Sequence, residues 1–212
     1  MKFKHIVMAL AAIFFTAASV SAQTAEEILE KMSAEMERGE AEGFSMDFIM
    51  KMPILGSISA HNQIRGEKMK SEIKSSEGDS IVWTDETTDW TYSPKTNEIT
   101  IENRKTDGSE NNNSDMSQFE SISHGYDVSI QKQTPEAWYI VCKKNKDNKE
   151  KDDPKRMDLA VRKADFLPIY LRASVSVVTI SIENYSLGVS EESITFRAED
   201  YPSAKIVDKR QD

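Results

Sequence analysis

The stretch GFSMDFIMKM, residues 43–52, sets Phe44, Met46, Phe48, Met50 and Met52 on alternate positions, with Ser45, Asp47 and Lys51 between most of them. A period of two is that of a β-strand, so one face of this strand is apolar and the other largely polar. The apolar face is built from thioethers and phenyl rings. Methionine is unbranched and polarizable, so a surface made from it repacks around ligands of varying outline, and it also fills ordinary cores. Both readings stand on this stretch alone.

Immediately before it, QTAEEILEKMSAEMERGE carries a different period. Thr24 is placed to cap a helix with Glu27 at the third position, Ile28, Leu29, Met32 and Met36 fall on one face, and Gly39 is a stop signal. After it the period of two persists through 57–65, 68–75, 79–84, 88–93 and 97–103, separated by the turn-like PILG, GE, SEGD, DETT and SPKTN. Residues 104–114 read as a polar surface loop, and DMSQFESIS after it as a short helix with Met116, Phe119 and Ile122 on one side. Strands resume at 125–132, 136–143, 156–163, 167–173, 175–183 and 193–197, with KKNKDNKEKDDPK as a long charged hairpin tip. The expected fold is mainly β (α+β), a strongly curved antiparallel sheet or partly closed barrel of about eleven strands, with helices over its opening. Such a barrel either fills its interior or holds a ligand there.

The chain opens on MKFKH, an apolar run from Ile6 to Ala18 and SVSAQ, the pattern of a signal peptide cleaved after Ala22. Residues 23–212 are then expected to form a single exported domain. Gln23 would stand first, with no cysteine there for a lipid anchor. The 27 basic and 36 acidic residues give a net charge of −9, and loss of Lys2 and Lys4 with the leader takes it to −11. Nucleic acid is therefore not an expected partner. Cys142 is the one cysteine, so no internal disulfide forms and a buried structural thiol is expected.

No catalytic signature stands out. The nucleophile elbow, paired-histidine zinc, paired-cysteine, P-loop and dinucleotide patterns are all missing from the sequence. Beyond the leader, only His61 and His124 are histidines, in separate segments. Acidic pairs such as Asp152–Asp153 and Glu191–Glu192 lie in highly charged surroundings, where carboxylates stay solvated. No enzyme activity, cofactor or metal is expected.

Three segments together resemble the periplasmic outer-membrane lipoprotein carriers of the LolA type, in order along the chain. FSMDF is similar to that family's early aromatic strand, with Phe44 and Phe48 in the aromatic places. TDETTDWTYSPKTNEIT resembles its strand and turn, through Asp85, Trp90, Tyr92 and Pro94. ENYSLGVSEESITFRAEDYPSAKIVD resembles its C-terminal run, through Tyr185, Ile194, Phe196, Pro202, Val207 and Asp208. Three features depart from the pattern: Asp85-Glu86 replaces an Asp-Gly turn, the spacing from Phe196 to Pro202 is longer, and IRGEKMK stands where a basic-proline pair is expected.

The resemblance implies a half-open antiparallel barrel closed by an N-terminal amphipathic helix and a short lid helix, with an apolar cavity for acyl chains. The cavity floor would include Phe44, Met46, Phe48 and Met50 from the first strand. Met69, Ile73, Trp90, Tyr92, Ile99 and Ile101 would continue it. Met32, Met36, Met116 and Phe119 would face it from the lid, and Arg65 is the nearest candidate for the family's lid-latching arginine. The implied role is that of a monomeric periplasmic carrier. It would take acylated lipoproteins or related lipids from an inner-membrane release complex to an outer-membrane acceptor. The alternatives are a lipid-sensing regulatory protein on the same fold and, from another class, an enzyme acting on lipids or envelope polymers.

Overall fold

The computed structural model of the protein describes residues 23–54, 56–104, 125–151 and 153–210. The expected signal peptide and the expected lid helix with Met116 and Phe119 lie outside them. Helix α1, Ala25–Glu42, begins at a capping box in which Thr24 and Glu27 satisfy each other's backbone N–H groups. It ends at Gly43, whose φ of 79° suits glycine, rather than at Gly39. Gly39 serves close packing instead. A Cβ there would stand 2.6 Å from the Tyr185 hydroxyl and 2.8 Å from Leu187 Cδ2.

Twelve strands follow: β1 Phe44–Met52, β2 Gly56–Arg65, β3 Lys68–Lys74, β4 Ser80–Thr84, β5 Thr88–Ser93, β6 Glu98–Asn103, β7 Tyr126–Gln133, β8 Ala137–Lys144, β9 Arg156–Arg162, β10 Pro168–Val175, β11 Val178–Leu187 and β12 Lys205–Asp208. They form one open sheet in the order β12-β6-β5-β4-β3-β2-β1-β11-β10-β9-β8-β7. Two antiparallel meanders are thus joined where β1 pairs with β11. Ten strands match the expected positions to within two residues, and the one expected at 175–183 is displaced to Val178–Leu187. The twelfth differs: 193–197 is not a strand, because Glu192–Ile194 forms a 3-10 turn, and the final strand is β12, which pairs in parallel with β6.

The β1–β11 seam carries a bulge. The pairing Ser45↔Ser186 is followed by Asp47↔Glu183, so Met46 opposes both Asn184 and Tyr185. Asn184 adopts φ 56°, a left-handed conformation that asparagine tolerates. The extra residue places Tyr185 against Phe44, with ring centroids 5.3 Å apart, while Asn184 donates to Asp47 Oδ2 at 2.7 Å.

Helix α1 crosses one face of the sheet, contacting β2 and β7. Its Ile28, Leu29, Met32 and Met36 are buried in a core with Phe44, Ile64, Tyr126, Trp138, Ile140, Leu159 and Leu171. This is the inner face.

Candidate functional site

Cross-strand partners share a face of a sheet, so the register shows what the inner face is made of. One row runs Ile130, Ile140, Leu159, Leu171, Ile182, Phe48, Ala60 and Ile73 across eight strands. The next runs Val128, Cys142, Met157, Ala173, Ile180, Met50 and Ile58 across seven. Both rows are apolar from end to end.

Coverage divides them. Ile140, Leu159, Leu171, Cys142 and Met157 are buried in the α1 core. Ile182, Phe48, Ala60, Ile73, Ile180, Met50 and Ile58 are only half-buried. The described residues therefore leave an apolar trough over β11, β1, β2 and β3, continuous with the core but beyond the helix. Toward β4–β6 the inner face turns polar: Met46 and Asn62 lead to Ser71, then Val82, Thr91 and Thr100. Beside them Ile64 and Met69 lead to Thr84, Asp89 and Glu102.

The expected site residues fall into distinct groups. Met46, Phe48, Met50 and Ile73 lie half-buried on the inner face, and Met69 lies there too, packed against the core. Phe44 is on the same face but fully buried, beneath α1 and beside Tyr185. Met32 and Met36, each 1% exposed, plug the space between helix and sheet rather than lining an opening.

Trp90, Tyr92, Ile99 and Ile101 require correction. Their register partners are Trp83 and Ile81, then Lys70 and Glu72, then Gln63 and His61, and finally Ser45 and Asp47, all on the outer face. The inner positions of β5 are Asp89 and Thr91. The cover on the outer face is the chain after β11. Phe196 stacks on Trp90 at 5.4 Å, and Tyr201 meets Tyr92 at 4.6 Å and Trp83 at 5.6 Å. A small pocket of about 60 Å³ lies between this segment and the sheet, beside Trp83, Trp90 and Ile194.

Arg65 also points outward, and donates to the Val189 carbonyl at 3.0 Å. Its described bond ties the end of β2 to the chain leaving β11, not to α1. The strand register in 80–103 carried the phase that sequence reading missed. Trp90 and Tyr92 alternate correctly, but their alternation does not say which way they point.

The ionisable groups nearest the trough's strands face away from it. On the outer face His61 Nδ1 lies 2.7 Å from Asp47 Oδ1, and Asn184 donates to the other oxygen. Partial burial pushes the Asp47 carboxyl up, and the hydrogen bonds from Asn184 and His61 outweigh it, so it sits below its ordinary value. Cys142 is fully buried, and burial pushes its thiol up to about 12, which keeps it protonated and inert. Among the described residues no group of three His, Cys, Asp or Glu side chains is arranged to hold a metal. None of their helices is long and apolar enough to cross a membrane.

A second depression, of about 280 Å³, lies on the outer face between β7 and β10. Its aromatic walls are already engaged: Lys132 lies over Tyr139 at 5.5 Å and Arg172 over Tyr170 at 4.4 Å.

No family model matches the chain, and no curated protein does. Among solved structures it is similar to an uncharacterized conserved protein from Thermus thermophilus, at 15% identity over 87% of this chain and 99% of that one, with a TM-score of 0.46. It is similar to the Mycobacterium tuberculosis lipoprotein LppX at 10% identity, covering 78% and 97% of the two chains, with a TM-score of 0.47. A LolA superfamily protein from Nitrosomonas europaea is similar at 10% identity over 84% and 100%, with a TM-score of 0.33. These are likenesses of overall shape, and what the protein binds is to be read from its own faces.

Proposed function

We propose that this protein is an exported acyl-chain carrier whose ligand lies in the trough over β11, β1, β2 and β3. Its cargo is the lipid portion of a lipoprotein, or a related lipid, moved across the aqueous space of a cell envelope. The observation that carries this reading is the pair of unbroken apolar rows that leave the α1 core and emerge half-buried at Phe48, Met50, Ile73, Ile180 and Ile182. A sheet face that merely met water would carry polar residues there, as most of the inner face of β4–β6 does.

The physical need for such a device is large. An acyl chain of about fourteen to sixteen carbons exposed to water costs on the order of 12 kcal/mol, at about 0.8 kcal/mol per methylene. A carrier has to shield that surface and still release it. Met46, Met50 and Met52 suit this, because thioether side chains refold over the empty trough and part around chains of differing shape. Phe44, Met32 and Met36 form the fixed wall behind it. Donor and acceptor would be an inner-membrane release complex and an outer-membrane acceptor, with cargo passed on without covalent chemistry.

Native mass spectrometry of the protein purified from its own cell envelope tests this directly. Co-purified acylated species, released only on denaturation, are expected. Protein that emerges free of any acylated mass, with no uptake when acylated peptide is added, would refute the reading.

A further inference from the structure

Among the described residues, two strongly exposed apolar side chains stand on neighbouring hairpins. Ile54, 95% exposed, lies in the turn between β1 and β2, and Val177, 69% exposed, lies in the turn between β10 and β11. Lys51 pairs with Thr179, so both turns leave the sheet at the same end. They also extend the trough. Met50 and Met52 lead along the inner face of β1 to Ile54, and Ile180 and Val178 lead along β11 to Val177. Isolated exposed apolar residues are common on soluble surfaces. Two of them on adjoining tips, at the end of an apolar trough, are a different arrangement.

A second feature shares that end of the sheet. Met157 pairs with Ala173, so the connection between β8 and β9 emerges within about 10 Å, two strand spacings, of the Val177 turn. It presents Lys146, Lys149, Lys151 and Lys155, all exposed, and exposed Lys143 stands just before it. Among the described residues none of these lysines is held in an ion pair. From Lys143 to Lys155 the sequence carries six lysines and four acidic residues, Asp147, Glu150, Asp152 and Asp153, a net of +2, and Asp153 accepts a hydrogen bond from Asn148 at 2.7 Å. In a chain whose net charge is −9, this connection is a locally basic stretch.

We propose that this end of the molecule docks on an anionic lipid bilayer. Ile54 and Val177 enter the headgroup boundary, and the lysines of the β8–β9 connection meet the acidic lipids beside them. Screening over about 10 Å at 0.1 M salt confines the acidic remainder of the protein, so the local charge governs the approach. Docked this way, the trough opens at the membrane, and an acyl chain enters or leaves without crossing bulk water. The docking goes beyond acyl binding and does not require an occupied trough.

The test is co-sedimentation of the full protein with vesicles of pure phosphatidylcholine and with vesicles containing one third phosphatidylglycerol, at low and high salt. The wild type is expected to partition onto the anionic vesicles and to be released by salt. Ile54→Asp with Val177→Asp is expected to lower the partition coefficient by roughly tenfold or more, because each change replaces apolar insertion with a buried charge. Lys146→Glu with Lys149→Glu should abolish the preference for anionic vesicles. Both pairs lie in connections, and an unaltered thermal unfolding midpoint confirms that the fold is kept. Wild-type protein that stays in the supernatant with both vesicle types would overturn the proposal, even if it bound a protein partner through this end. So would tip variants that sediment like wild type. Acyl-probe affinity is read separately, so failure here leaves the trough's own test standing.

Discussion

Tyr185 carries the packing between helix and seam. Its ring stacks on Phe44 and its hydroxyl faces the bare Cα of Gly39, yet that hydroxyl is buried without a hydrogen-bond partner among the described residues. Burial pushes its pKa up, so it stays a neutral phenol, desolvated without compensation. Tyr185→Phe keeps the stack and removes the orphaned group. It is expected to raise stability by about 1 kcal/mol, read as a higher midpoint in urea with an unchanged slope. A lower midpoint would show that the hydroxyl has a partner after all. The sequence marked Tyr185 only through its place in a resemblance. Its inward turn comes from the bulge at Asn184, one extra residue that alternation in ENYSL does not announce.

At the scale of elements, local pattern and phase separate cleanly. The α1 capping box and the period of two in 43–52 were legible, because each is written within a few adjacent residues. The face taken by β5 was not. Trp90 and Tyr92 look inward-facing in isolation, since nothing between residues 85 and 93 reveals that Phe196 and Tyr201, about a hundred residues later, supply a second apolar cover. β12 escaped for a related reason. Four residues pairing in parallel with β6 leave too short a run to read, and the apolar residues of 193–197 that resembled a strand are anchors of this outer cover. The two faces make a separable prediction. Trp90→Ala should cost about 1–2 kcal/mol of stability, less than a fully buried aromatic because Trp90 is half-buried, and leave acyl-probe affinity unchanged. An affinity loss without a stability loss would put Trp90 in the ligand site and contradict the register.

At the scale of the whole molecule, the one α-helix among the described residues is too short to cover the sheet. α1 closes the inner face over β7–β10, the start of β1 and the end of β2, while the apolar rows continue past it. That mismatch of cover to surface is the basis of the carrier reading, and the tips at Ile54 and Val177 stand at its far end. The most direct measurement is equilibrium binding of a fluorescent acyl probe to the wild type and to Phe48→Asp with Met50→Asp, both checked for an intact fold by circular dichroism. The account predicts saturable binding by the wild type and a loss of roughly a hundredfold in the variant, because two carboxylates would have to be desolvated against the chain. Equal affinity in the two proteins would contradict it.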